Sequence, residues 1–244
     1  MIVPSFLVSM GLAWAIAVWL KNKSEKMRDL PFQILAVALV LFEIAKQIYN
    51  YQGGEYRRFA LPFHYCSLFV YIYPLHAFYK GKRKAWVDTL AFTCGASLFF
   101  FMLLMPATVY SESYIKNYFQ NFNAFHSVTF HSYVCFYFFL VVAMKKYDFQ
   151  TKRDAAVTAI FYTIYMLFIV GMAYLLDTNF HNVRSCNLAI VEEMRTALIA
   201  SIGNFGQVIY VFVLSVLTVG LSVVAYFLAR GLIALFKRWI LVKK

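Results

Sequence analysis

A thiol and an imidazole stand two residues apart in "ALPFHYCSLF", Ala60 to Phe69, where His64 and Cys66 follow Pro62 at the head of a long apolar segment. A cysteine becomes a nucleophile as its thiolate, a form favoured by a helix N-terminus or a neighbouring imidazolium. Pro62 suits the first turn of a helix. The spacing therefore predicts Cys66 a little more than one turn into that helix, within reach of its dipole. His64 cannot share the face, because two residues are about 200° of rotation. His131, in "FHSYV", and Glu43 lie in other apolar segments. Cys66, His131 and Glu43 have the residue types of a thiol–imidazole–carboxylate arrangement, in which the carboxylate orients the base. His64, Asn179 and Arg184 are then candidates to bind a polar substrate group or steady an oxyanion.

Each residue also has a plainer reading. Lys46 lies one turn from Glu43 and would neutralise it within the helix. His64 near an interface reads equally as a packing histidine, and Cys66 as a small apolar side chain. His126 and His131 are five apart, about 500° of rotation, which makes them poor ligands for one metal. His76 and His181 are expected near membrane surfaces, and Asn187, Glu192 and Glu193 in a solvated loop. Cys66, Cys94, Cys135 and Cys186 show neither CxxC nor metal-ligand spacing. No metal and no cofactor is expected.

What must position these residues is a membrane bundle. The chain has 244 residues, 62% hydrophobic and 14% charged, far from the balance of a soluble domain. One integral-membrane domain over 1–244 is expected, all-α and polytopic. Seven apolar segments, 2–20, 30–48, 59–79, 85–105, 124–144, 155–176 and 204–229, approach or exceed the length of one spanning helix. "SIGNFGQ" precedes the body of the last, and the stretch before Asn204 reads as a lip or re-entrant piece. The outer connection 106–123 is the longest tyrosine- and asparagine-rich loop, one able to lie across the outer face as a lid although its composition does not require that. "MIVPSFLVSM" lacks the basic start of a cleavable signal.

The net charge of +12 is spread in short clusters between apolar runs, which points to membrane topology and away from nucleic acid. Lys21, Lys23, Lys26, Arg28, Lys80, Lys82, Arg83, Lys84, Lys145, Lys146, Lys152, Arg153, Arg230, Lys237, Arg238, Lys243 and Lys244 fall on one side. The opposite connections hold Arg57, Arg58, Lys116, Arg184 and Arg195. The first side is therefore cytoplasmic, with the N-terminus outside and the C-terminus inside. Segment 230–244 reads as a basic amphipathic cytoplasmic tail anchored by Trp239. With this topology Cys66 and His131 lie about 10 Å, and Glu43 about 8 Å, below the outer surface at 1.5 Å per residue. Ionisable residues at such depth are costly in lipid and by default face a bundle interior or cavity.

At these residues the chain resembles the YwaF-like integral membrane proteins, which include eukaryotic transmembrane lysophospholipid acyltransferases. The resemblance rests on "LPFHYC", on Glu43 about twenty residues upstream, on His131, and on "DTNF" leading to Arg184 and Cys186. The segment "HNVRSC" after "DTNF" departs from the usual spacing. The resemblance implies acyl transfer through a cysteine acyl-enzyme at Cys66, with His131 as its partner. Membrane phospholipid would be the donor, a lysophospholipid or lipoprotein the acceptor, and the outer leaflet of a bacterial plasma membrane the setting. Two other classes stay open: a substrate-binding membrane protein or transporter component with an outward pocket, and a scaffold stapled by a Cys66–Cys186 disulfide.

Overall fold

The computed structural model describes residues 2–53, 56–108, 110 and 112–242, with side chains for 6–53, 56–107, 110 and 112–235. These residues form helices and connecting loops: α1 (Ile2–Leu20), α2 (Glu25–Gln52), α3 (Phe69–Phe78), α4 (Lys84–Leu104), α5 (Glu112–Lys116), α6 (Phe122–Ala143), α7 (Thr151–Leu175), α8 (Ala189–Ile202) and α9 (Asn204–Val242). Five of them, α2, α4, α6, α7 and α9, are long and apolar enough to cross a membrane. Together with the apolar α1 and the short α3 they follow the seven expected segments.

Burial patterns explain the arrangement. α4 is buried on all sides from Ala91 to Leu98, as a helix at the centre of a bundle must be. Its Gly95 admits the ring of Phe138 on α6, where a Cβ would stand 2.8 Å from the ring. α2 buries only a stripe, Phe32, Ala36, Leu39 and Glu43, one helix face.

Among the described residues, one basic side chain from each charged stretch, Arg28, Lys80, Lys146 and Arg230, lies at one end. Asp29 on α2 accepts from Lys80 (2.5 Å) and Lys146 (2.7 Å), Arg28 donates to the Met144 carbonyl, and Arg230 on α9 donates to the Thr151 hydroxyl. A buried carboxylate, Asp154, ties the same end, accepting from Thr89, Arg153, the Gln150 amide and Tyr226.

Three expectations need revision. The third segment is not one helix. Pro62 lies in a turn, three residues before a 3-10 turn at Tyr65–Leu68 that leads into α3. Irregular backbone at membrane depth requires partners from the protein. Here the carbonyls of Phe59, Ala60, Pro62 and Phe63 accept from His64, Gln47, Tyr71 and Tyr165 respectively.

The described part of the outer loop 106–121, weighed as a lid, packs beside α6. Tyr110 meets Ser132 and Tyr118 meets Thr129 through their hydroxyls.

α9 runs unbroken from Asn204 to Val242. At 1.5 Å per residue it is about 58 Å long and outreaches the bilayer. The Trp239 side chain, with Lys243 and Lys244, lies outside the described residues.

The stretch before Asn204, read as a lip or re-entrant piece, is the helix α8. Gly203 (φ 63°) reverses the chain, and α8 folds back antiparallel along α9. Gly206 sits so close to the Leu198 backbone that a Cβ would come within 2.5 Å.

Candidate active site

Two irregular segments, 56–64 before α3 and 176–188 after α7, meet on the outer side of the bundle. Their composition explains why the second can turn so tightly. Asp177, His181 and Asn182 all have φ between 50° and 58°, a left-handed conformation for which Asp, Asn and His are the enriched non-glycine residues. Arg58 donates to the Leu176 carbonyl, Tyr210 to Asn182 and Gln207 to Val183, which satisfies the loop's own backbone. Phe180 is fully buried between Phe63 and His64, with ring centroids at 5.5 and 5.3 Å.

Cys66 is the second residue of the helical run and half-buried. It therefore lies in the first turn, where backbone N–H groups lack helical partners and the dipole is positive. The parallel packing of α3 on α6 has a constant offset of 61. Tyr73 bonds the Val134 carbonyl at 3.0 Å, and His76 meets Tyr137 at 2.7 Å. Cys66 precedes α3 in the 3-10 turn; at 2.0 Å per 3-10 residue and 1.5 Å per α residue it lies about 12 Å outward of Tyr73, level with His126 on α6.

His131 is buried, and its Nδ1 lies 2.6 Å from the Ser127 carbonyl. A carbonyl only accepts, so Nδ1 carries the proton in the neutral ring and Nε2 presents a lone pair. That Nε2 is buried and makes no hydrogen bond among the described residues.

Glu43 does not orient His131. Its carboxylate takes Lys46 at 2.6 Å, Gln47 at 2.6 Å and lies 3.3 Å from His126 Nε2. The His126 ring is stacked on Phe42 at 4.6 Å. The helix rotation that brings the core stripe of α2 against α6 points Glu43 at His126, a residue weighed from sequence only as a metal ligand.

The expected binding residues are engaged in holding loops. Asn179 uses its whole amide inside its loop: Nδ2 donates to the Ser185 carbonyl and hydroxyl, and Oδ1 accepts from the Arg184 and Ser185 amides. All four hydrogen-bonding positions of the side chain are then filled, so it has none for a ligand. His64 Nε2 donates to the Phe59 carbonyl at 2.9 Å. Arg184 pairs with Asp177 and lies 5.8 Å over the Tyr174 ring; its guanidinium holds the Asp177 carboxyl below the usual range. Glu192 accepts from Arg195 and the Cys186 amide, which lower its carboxyl to about 2.

His181, expected near the surface, is instead drawn into the bundle. Its ring stacks 5.8 Å from Tyr65, beside Cys66, and its Nε2 lies 3.1 Å from the Thr218 hydroxyl. The cluster of Asp, Asn and His in "DTNFHN" was the sequence signal for that reversal. All four cysteines are free, so no disulfide joins Cys66 to Cys186. Among the described residues no group of His, Cys, Asp and Glu is arranged to hold a metal ion.

A scan against protein-family models matches residues 1–228 to the model described as the TMEM164 family. No curated protein and no solved structure matches the chain.

Proposed function

The chain belongs to the TMEM164 family, a family of transmembrane proteins, and we propose that this member is a membrane acyltransferase working from the outer face. The observation that carries the reading is His131: a buried imidazole whose tautomer leaves a free Nε2 lone pair, on the helix that α3 touches through Tyr73 and His76. The resemblance of "LPFHYC" to the YwaF-like proteins and their lysophospholipid acyltransferase relatives supports the same reading.

In this mechanism His131 Nε2 takes the Cys66 proton and the sulfur attacks the ester carbonyl of a phospholipid. The carbon–oxygen bond breaks, the lysophospholipid oxygen receives the proton, and a thioester remains on Cys66. A hydroxyl of a second lysophospholipid, or an amine of a lipoprotein, then attacks the thioester. His131 accepts that group's proton and returns it to the departing sulfur. Arg184, on the outer rim, is placed to meet a lipid phosphate after exchanging Asp177 for it. Glu43 and His126 hold the walls of the site. The setting we assign is the outer leaflet of a bacterial plasma membrane.

Intact-mass analysis of the purified protein incubated with native lipids tests this directly. The expected result is an added mass of one fatty acyl chain, removed by neutral hydroxylamine and absent from Cys66→Ser. No adduct, with Cys66 freely alkylated, would transfer the site to a binding protein with an outward pocket.

A further inference from the structure

A wholly apolar groove of about 150 Å³ opens toward the lipid between α2 and α3, lined by Ala36, Val37, Val40, Leu41, Pro74 and Phe78. Its origin is local. Ala36 is fully buried and ends at Cβ, so the floor is low. Pro74 inside α3 has no N–H to donate to the preceding turn and presents its ring as one wall of the groove.

The groove is the inner end of a seam that starts at the site. The α2 residues Lys46, Glu43, Val40 and Val37 descend as the α3 side passes Cys66, Tyr71, Pro74 and Phe78. Hydrogen bonds mark the upper end: Gln47 on α2 donates to the Glu43 carboxylate and to the Ala60 carbonyl, and Tyr71 on α3 donates to the Pro62 carbonyl, both in the segment that leads to Cys66. From Cys66 to Pro74 and Phe78 is about 13 and 19 Å, at 2.0 Å per 3-10 residue and 1.5 Å per α residue. One leaflet of hydrocarbon is about 15 Å deep, half the bilayer core. An acyl chain whose carbonyl carbon sits at Cys66 and whose tail points inward ends in this groove.

We propose that the α2/α3 groove is the acyl subsite, taking the tail of the phospholipid chain whose ester lies at Cys66. This rests on the acyltransferase reading for the identity of the chain. Chain length is then read by how far the tail reaches past Pro74 toward Phe78.

The test uses full-length Cys66→Ser protein in phosphatidylcholine nanodiscs doped with a phosphatidylcholine bearing a diazirine at the end of one acyl chain. Because the variant has no thiol and forms no thioester, labelling reports where the chain binds. The expected outcome is label concentrated on residues 36–41 and 74–78, moving to 70–71 and 43–44 with a mid-chain diazirine, and lost from the groove in Val40→Trp. Label spread evenly over lipid-facing positions of α1 and α9, or unmoved by diazirine position, would overturn the subsite.

A second measurement reads the thioester itself. In Cys66-intact protein, Val40→Trp is expected to lower the ratio of long to short acyl adducts about tenfold, the scale on which a pocket rejects an extra methylene. An unchanged ratio would overturn the subsite. Failure of the acyltransferase reading shows separately, as absence of any hydroxylamine-labile adduct on the unsubstituted protein.

Discussion

Glu43 shows how one residue can be legible in part. Its pairing with Lys46 followed from spacing alone, and the structure has it at 2.6 Å. Its approach to His126 depended on how α2 and α6 are rotated about their axes, which hydropathy does not encode. The pair sits 4% exposed at the carboxylate residue, and removal of one member leaves a poorly solvated charge. Glu43→Gln is therefore expected to cost about 3–5 kcal/mol. The double variant Glu43→Gln, Lys46→Met should recover most of it, and thermal unfolding in nanodiscs gives the four corners of the cycle. Additive losses would mean that the pair is solvated. At the same scale, His131→Asn is expected to slow acyl exchange about 10²–10⁴-fold with folding retained, the size of a lost general base. A comparable loss in His126→Asn but not in His131→Asn would reassign the base.

The existence of the helices was legible because apolar length is what a bilayer demands. The backbone of the third crossing was not, because hydropathy reports burial and not dihedral angles. Leu61, Pro62 and Phe63 are as apolar as a helix yet form a turn, their neighbours' carbonyls met by side chains from α2, α3 and α7. The α8–α9 hairpin was half legible, through its two glycines. Gly206→Ala would drive a Cβ into the Leu198 backbone and is expected to lower stability by about 1–3 kcal/mol, as overpacking does; a melting curve unchanged from the parent would show that α8 is loosely held. The same hairpin carries a pH dependence. Glu192 is lowered to about 2 from an ordinary 4.5, first by Arg195 and then by the Cys186 amide. A depressed carboxyl stabilises fully above the unfolded value and loses that contribution as pH falls through the folded one. The difference in melting temperature between the parent and Glu192→Gln should thus be constant above pH 5 and close between about 4.5 and 2. A gap that persists at pH 2 would assign the effect to something other than this carboxylate.

For the whole molecule, the arrangement of lysines and arginines was the most legible feature, since loop charge responds to orientation and not to packing detail. Asp29, Lys80, Lys146, Thr151 and Arg230 gather at one end, so the loops grouped by charge are grouped in space. In right-side-out vesicles, with Cys66 and Cys186 replaced by serine, an impermeant maleimide should label Phe119→Cys at once. Lys82→Cys should react only after permeabilisation. The reverse pattern would invert the bundle. The convergence of segments 56–64 and 176–188 was beyond sequence reading, because it joins stretches more than a hundred residues apart through side chains such as Arg58 and Tyr165.

That convergence bears on how the chain is made. The four 3-10 and ten α-helical residues from Tyr65 to Phe78 reach about 23 Å, short of the roughly 30 Å of hydrocarbon. A third segment leaving the ribosome is thus a weak insertion signal by itself and must be held by its neighbours. Tyr165, whose hydroxyl donates to the Phe63 carbonyl, is synthesised 102 residues later, and Phe180 later still. Until then the nascent chain carries its thiol without walls and without a loop to close the outer side. The outer walls beside Cys66 are thus complete only when residues 176–188 have followed α7, and on the proposed reading a chain truncated before them is an inert precursor.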